Sequence, residues 1–71
     1  MPKFKQYEIV ELTEDLGSVA RGTRGTIIEV FDNPREGYEI EVVGEDGDTL
    51  AEFSALPGQL RAVPATAAAG Q

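Results

Sequence analysis

Apolar and acidic residues alternate in Tyr38-Glu-Ile-Glu-Val-Val43, so that Tyr38, Ile40 and Val42 share one side of an extended segment while Glu39 and Glu41 share the other. This spacing predicts a strand with one buried face. The preceding run, Arg24 to Phe31, carries apolar residues on both parities: Thr26, Ile28 and Val30 on one, Ile27 and Phe31 with Glu29 on the other. Such a pattern predicts a central, bent strand whose two ends are covered by different parts of the sheet. Earlier in the chain, the β-rich stretch from Phe4 to about Glu14 contains Tyr7-Glu-Ile-Val-Glu-Leu12. It predicts a first strand with Val10 and Leu12 toward the core and Tyr7 and Ile9 on the opposite face.

Turn formers punctuate these runs. Asp15 to Gly22 mixes them with two isolated apolar residues, Leu16 and Val19, which predicts a long first loop with both folded beneath it. Gly22 and Gly25 supply turn angles before the second strand, and Asp32-Asn-Pro-Arg-Glu-Gly37 predicts a turn in which Gly37 takes a positive φ. Gly44 to Asp48, with Asp46-Gly47 inside it, closes a hairpin onto a fourth strand, Thr49 to Phe53. Leu56 to Leu60 predicts one 3₁₀ turn, and Leu60 to Val63 a short closing strand. The ordered domain therefore spans residues 1–63. Residues 64–71, with no large side chain after Pro64, predict a flexible tail. The fold class expected is all-β: a small open five-stranded barrel of SH3-like form with a short 3₁₀ turn before the last strand.

The glycine-loop-strand unit Gly22-x-x-Gly25-x-Ile27-x-x-Val30, followed by a hairpin, resembles the KOW-type and SH3-like small barrels. More specifically, the span from about residue 4 to 63 resembles a family of small bacterial proteins known as domain of unknown function 4926. The residues that carry this resemblance are Tyr7 to Asp15, Arg21 to Phe31, Tyr38-Glu-Ile-Glu-Val42, Asp46-Gly-Asp-Thr49 and Leu60-Arg-Ala-Val63. It implies a fold and brings no catalytic residues with it. The wider KOW resemblance implies contact with RNA or with proteins of transcription and translation.

Composition narrows the chemistry. The 71 residues include no cysteine and no histidine, which excludes a thiolate nucleophile, an imidazole base and the usual structural zinc sites. No cofactor is expected, and no enzyme. Thirteen Asp and Glu against six Lys and Arg leave a formal charge of −7, which repels phosphate backbones and anionic lipid and suits a basic protein surface. Glu29, Glu39, Glu41, Glu45, Asp46 and Glu52 stand where an RNA-binding version would carry lysine and arginine. No apolar run reaches the roughly 20 residues that span a bilayer, and Met1 to Lys5 lacks a signal-peptide core, so a cytoplasmic location without membrane contact is expected.

Several clusters invite sharper readings. Gly22 and Gly25 would suit an anion-binding nest, yet no helix N-terminus or Walker lysine accompanies them, which favours plain turn geometry. Arg21 and Arg24 flank that turn and would seat an acidic partner or, more simply, pair with the chain's own carboxylates. Glu45-Asp-Gly-Asp48 lacks the spacing of a calcium loop and reads as a solvated hairpin tip. Glu39 and Glu41, two apart on an outward face, lie in water and do not read as a catalytic carboxylate pair. Phe31, Tyr38 and Phe53 are core or groove aromatics, with Tyr7 and Phe31 the members expected outside because their parity opposes the core.

The expected function is a non-enzymatic protein-interaction module: a small accessory, regulatory or antitoxin-like subunit that docks a basic surface, with Tyr7, Arg21, Arg24, Phe31, Glu39 and Glu41 as partner-binding residues. The alternative is a KOW-like nucleic-acid or ribosome-associated module using Lys3, Lys5, Arg21, Arg24 and Arg61, if folding gathers them on one face.

Overall fold

A computed structural model of the chain describes residues 1–64. The expected flexible tail, from residue 65 on, lies outside the described residues. Among the described residues, five strands form one antiparallel sheet: β1 (Ile9–Leu12), β2 (Arg24–Phe31), β3 (Gly37–Val43), β4 (Thr49–Ala55) and β5 (Leu60–Ala62), with a single 3₁₀ turn at Pro57–Gln59 before β5. The order across the sheet is β4-β3-β2-β1-β5. Since β4 and β5 lie at opposite ends of that order, the sheet is an open barrel and not a closed one.

The mixed parity of β2 has a local cause. Ile27 pairs with Ile40 and Glu29 with Glu39, so Ile28 is an extra residue that forms a bulge. Beyond it the inward parity switches. Ile27 is fully buried and Val30 packs on the same core, three residues on instead of two. The Gln6 side-chain amide donates to the Ile28 carbonyl at 3.0 Å, which satisfies the bulged backbone from outside the ladder. Leu50 is the corresponding extra residue in β4, between the pairs Val42–Ala51 and Val43–Thr49.

Val10 and Leu12 of β1, Ile27 of β2, and Tyr38 and Ile40 of β3 build the core, with Leu60 closing it from β5. Leu16 and Val19 pack beneath the first loop as expected. Phe4 arrives from the N-terminal arm, and its ring meets that of Tyr38 edge-on at 5.4 Å. The Phe4 amide donates to the Tyr38 hydroxyl at 3.0 Å, and that hydroxyl donates to Glu36. Burial first, and then the Glu36 carboxylate, push the Tyr38 hydroxyl above its ordinary pKa.

Four expectations are corrected. The first strand covers only Ile9–Leu12, because Tyr7 turns the chain with φ +72° and so ends any extended run through Phe4 to Glu8. Gly37 has no positive φ; it opens β3 directly opposite Phe31. Gly25 is likewise a strand residue, required by close approach: a Cβ there would sit 2.6 Å from Ile40 Cγ2 and 2.9 Å from the Glu41 carbonyl oxygen. Gly22 and Gly47, by contrast, have φ near +90°, in keeping with their turns. The fourth strand runs two residues past Phe53, because Ser54 and Ala55 continue to pair with Glu39 and Tyr38.

Candidate functional site

Strand alternation sends the polar residues of β2, β3 and β4 to the solvent face, and pairing then arranges them in rows. Glu29 lies directly opposite Glu39, whose other neighbour is Ser54. Farther along, Glu41 lies opposite Glu52 on one side and Thr26 on the other. Like charges directly across a ladder repel, so both acidic pairs work against folding. Ser54 Oγ donates to Glu39 at 2.8 Å and Thr49 Oγ1 to Glu41 at 2.6 Å, which relieves the two β3 carboxylates in part. Glu52 holds its proton above the usual carboxylate range, first because its carboxyl shares a hydrogen bond with Glu39, then through burial and the charges of Glu39 and Glu41. Among the described residues, no cation pairs with any of these four carboxylates.

Phe31 stands at one end of this face, two residues beyond Glu29. It and Leu56 are both large, apolar and 43% exposed. They are the walls of a cleft of about 140 Å³ whose floor is Gly37, Tyr38 and Ala55 and whose rim includes Ser54. The Leu56 amide donates to Gln59 Oε1 at 3.0 Å, and the Gln59 amide returns a bond of the same length to the Leu56 carbonyl. This wall is therefore held by the 3₁₀ turn.

A second cluster occupies the β1–β5 side. Glu11 is the cross-strand neighbour of both Arg24 and Arg61, accepting from Arg61 Nε at 2.8 Å with Arg24 Nε at 3.6 Å. The Arg61 hydrogen bond, with the charges of both arginines, holds the Glu11 carboxyl below its usual range despite some burial. A polar cavity of about 290 Å³ beside it is lined by Glu11, Thr13, Arg21 and Arg61. Lys3 and Lys5 are absent from this cluster: the Lys3 ammonium lies 5.3 Å over the Phe4 ring, and the Lys5 amide is bonded to Glu8.

The sequence-predicted residues thus separate into three places. Phe31, Glu39 and Glu41 come together on one face, while Arg21 and Arg24 gather near Glu11. Tyr7, 70% exposed, stands alone on its turn, its amide bonded to the Ile27 carbonyl. The Gly22 amide donates to the Leu12 carbonyl at 2.9 Å and is not available to an anion. At the hairpin tip, Asp46 Oδ1 accepts from the Asp48 amide, and among the described residues no three carboxylates converge as a cation site requires. Leu56, Gly37 and Glu52 were missed as site residues. Their roles depend on the Tyr38–Ala55 register, and nothing in the linear pattern announces it.

The sequence pattern of the family described as Domain of unknown function (DUF4926) matches residues 6–62. No curated protein and no solved structure matches the chain.

Proposed function

Because the chain belongs to the family Domain of unknown function (DUF4926), a membership that brings no activity with it, we propose that it is a non-enzymatic protein-interaction module, a small accessory, regulatory or antitoxin-like subunit. In this reading the open sheet is an SH3-like barrel of the bacterial cytoplasm, and its β2-β3-β4 face docks a basic protein surface. The observation that carries it is the pair of acidic rows, Glu29–Glu39 and Glu41–Glu52, left without a cation among the described residues. A partner's lysines and arginines supply the missing charge, and attraction to a chain of net charge −7 speeds the encounter.

The test is capture from a native lysate on the immobilised protein. Retained proteins should present basic surfaces, elute as salt rises through about 150 mM, where screening acts over about 8 Å, and be lost from a Glu39→Lys, Glu41→Lys double variant. Retention indifferent to both changes sinks the proposal.

A second reading is kept because one observation favours it: Arg21, Arg24 and Arg61 do gather around Glu11. A KOW-like module would use that cluster on RNA. Glu11 neutralises part of it, and the remaining few charges release few counterions, so no RNA binding is expected at about 150 mM salt with dissociation constants of roughly 10⁻⁴ M or tighter. Salt-sensitive RNA binding abolished by Arg21→Glu with Arg24→Glu would promote this alternative.

A further inference from the structure

We infer that the cleft between Phe31 and Leu56 receives one aliphatic side chain from an extended partner segment, whose next two residues on the same side are cations lying over Glu29–Glu39 and then Glu41–Glu52. This rests on the protein-docking reading and specifies the partner's sequence chemistry.

The cleft exists because of one missing side chain. Phe31 pairs with Gly37, and the next pair, Tyr38–Ala55, places Leu56 on the far side of Gly37. With strands about 4.8 Å apart, the backbones of Phe31 and Leu56 lie about 10 Å from each other with only a glycine between them. The resulting slot, about 140 Å³, matches one side chain and not a helix face. Its walls are positioned in advance: Phe31 by the β2–β3 ladder, and Leu56 by its reciprocal bonds to Gln59. An apolar slot held open in water gains most from an apolar occupant.

The charge beside the slot selects the residues adjoining that occupant. Two residues along each strand, about 7 Å away, stand Glu29, Glu39 and Ser54; two further on β3 and β4 stand Glu41 and Glu52. A segment lying extended along β3 has the same two-residue repeat. Its alternate residues therefore meet the slot, the first acidic row and the second acidic row in turn. The recognised pattern is an aliphatic residue, a spacer, a basic residue, a spacer and a second basic residue. Phosphate-bearing partners are repelled from this same surface.

The probe is a capped peptide, Gly-Ser-Leu-Ser-Lys-Ser-Arg-Ser-Gly, titrated by NMR and calorimetry into the full chain at low salt. Saturable binding is expected, with the amide shifts of Phe31, Gly37, Glu39 and Leu56 moving most. Replacing the peptide's leucine by alanine should weaken binding by about tenfold or more, as withdrawal of an aliphatic side chain from an apolar slot requires.

Gly37→Val should fill the slot and erase the leucine's advantage. The variant is expected to fold, since a Cβ at Gly37 meets nothing nearer than the Ala55 carbonyl oxygen at 3.8 Å. Leu56→Ser, at the exposed wall, provides the same readout should the first variant lose its fold. Glu29→Gln with Glu39→Gln should weaken the leucine and alanine peptides alike.

A leucine advantage that survives Gly37→Val and Leu56→Ser overturns the inference, as does the absence of saturable binding. If salt and the Glu→Gln pair still control binding in the first case, the acidic docking reading stands without the slot. If they have no effect while the leucine advantage is lost on filling the slot, that reading fails and the slot remains.

Discussion

Gly25 and Gly37 lie in adjacent strands and carry opposite constraints. At Gly25 a Cβ would run into Ile40 Cγ2 and the backbone oxygen of Glu41, and backbone does not move aside as a flexible side chain does. Gly25→Ala should therefore destabilise the protein by about 1–3 kcal/mol, the usual cost of overpacking. Gly37→Ala, whose Cβ has room, should stay within about 0.5 kcal/mol of the parent, as surface substitutions do. Urea unfolding of the two variants checks both, and equal costs would mean that the β2–β3 approach is looser than described. From the sequence the two looked alike, each a glycine beside a strand. What separates them is the strand on the other side.

Within the sheet, β2, β3 and β4 accept acidic pairs that the ladder places face to face. Glu52 has its pKa raised by the hydrogen bond it shares with Glu39, by burial and by the charges of Glu39 and Glu41, so ionising it near neutral pH works against the fold. Glu52→Gln removes that charge and keeps the hydrogen-bonding shape. It should raise Tm at pH 7, and the gain should disappear in acid, where Glu52 itself is protonated. A lower Tm at pH 7 would mean that the carboxylate has a favourable partner. Alternation in β3 made Glu39 and Glu41 readable as outward residues. Their confrontation with Glu29 and Glu52 was not readable, because the Ile28 bulge and the extra Leu50 decide which residues stand opposite.

Across the molecule, carboxyl groups pull stability in two directions with pH. Glu11, held by Arg61 and Arg24, and Glu36, held by the Tyr38 hydroxyl and the Lys3 amide, titrate below 4.5 in the fold. Their contributions are complete above 4.5 and are lost as pH falls through the lowered values. Glu52 is the reverse case: folded, it keeps a proton that the unfolded chain has released just above 4.5, so its effect favours folding in acid and fades as pH rises through the raised value. Acidification also reduces the self-repulsion of a chain of net charge −7. Tm should therefore rise as pH falls from 7 through the raised value of Glu52, and fall again as pH drops below 4.5 through the lowered values of Glu11 and Glu36. A Tm that climbs steadily from pH 5 to 8 would contradict the assignment of Glu52, and one that stays level from pH 5 to 3 would contradict those of Glu11 and Glu36.

Local chemistry was enough to read five strands, their main turns, the core positions Val10, Leu12, Tyr38 and Ile40, and the outward side of Glu39 and Glu41. Side-chain periodicity and turn propensity act over a few residues, and a chain this short has few ways to bury one apolar face. Long-range pairing settled the rest. The Ile28 bulge brought Ile27 and Val30 onto one core, and strand register placed Gly37 between Phe31 and Leu56 and set carboxylate against carboxylate. Packing distance made Gly25 a contact residue and not a turn residue, while the meeting of β1, β2 and β5 drew Arg24 and Arg61 to Glu11. Each of these depends on which residues from distant segments stand opposite one another. A one-residue change in register reverses every such assignment while leaving the local pattern of each strand unchanged.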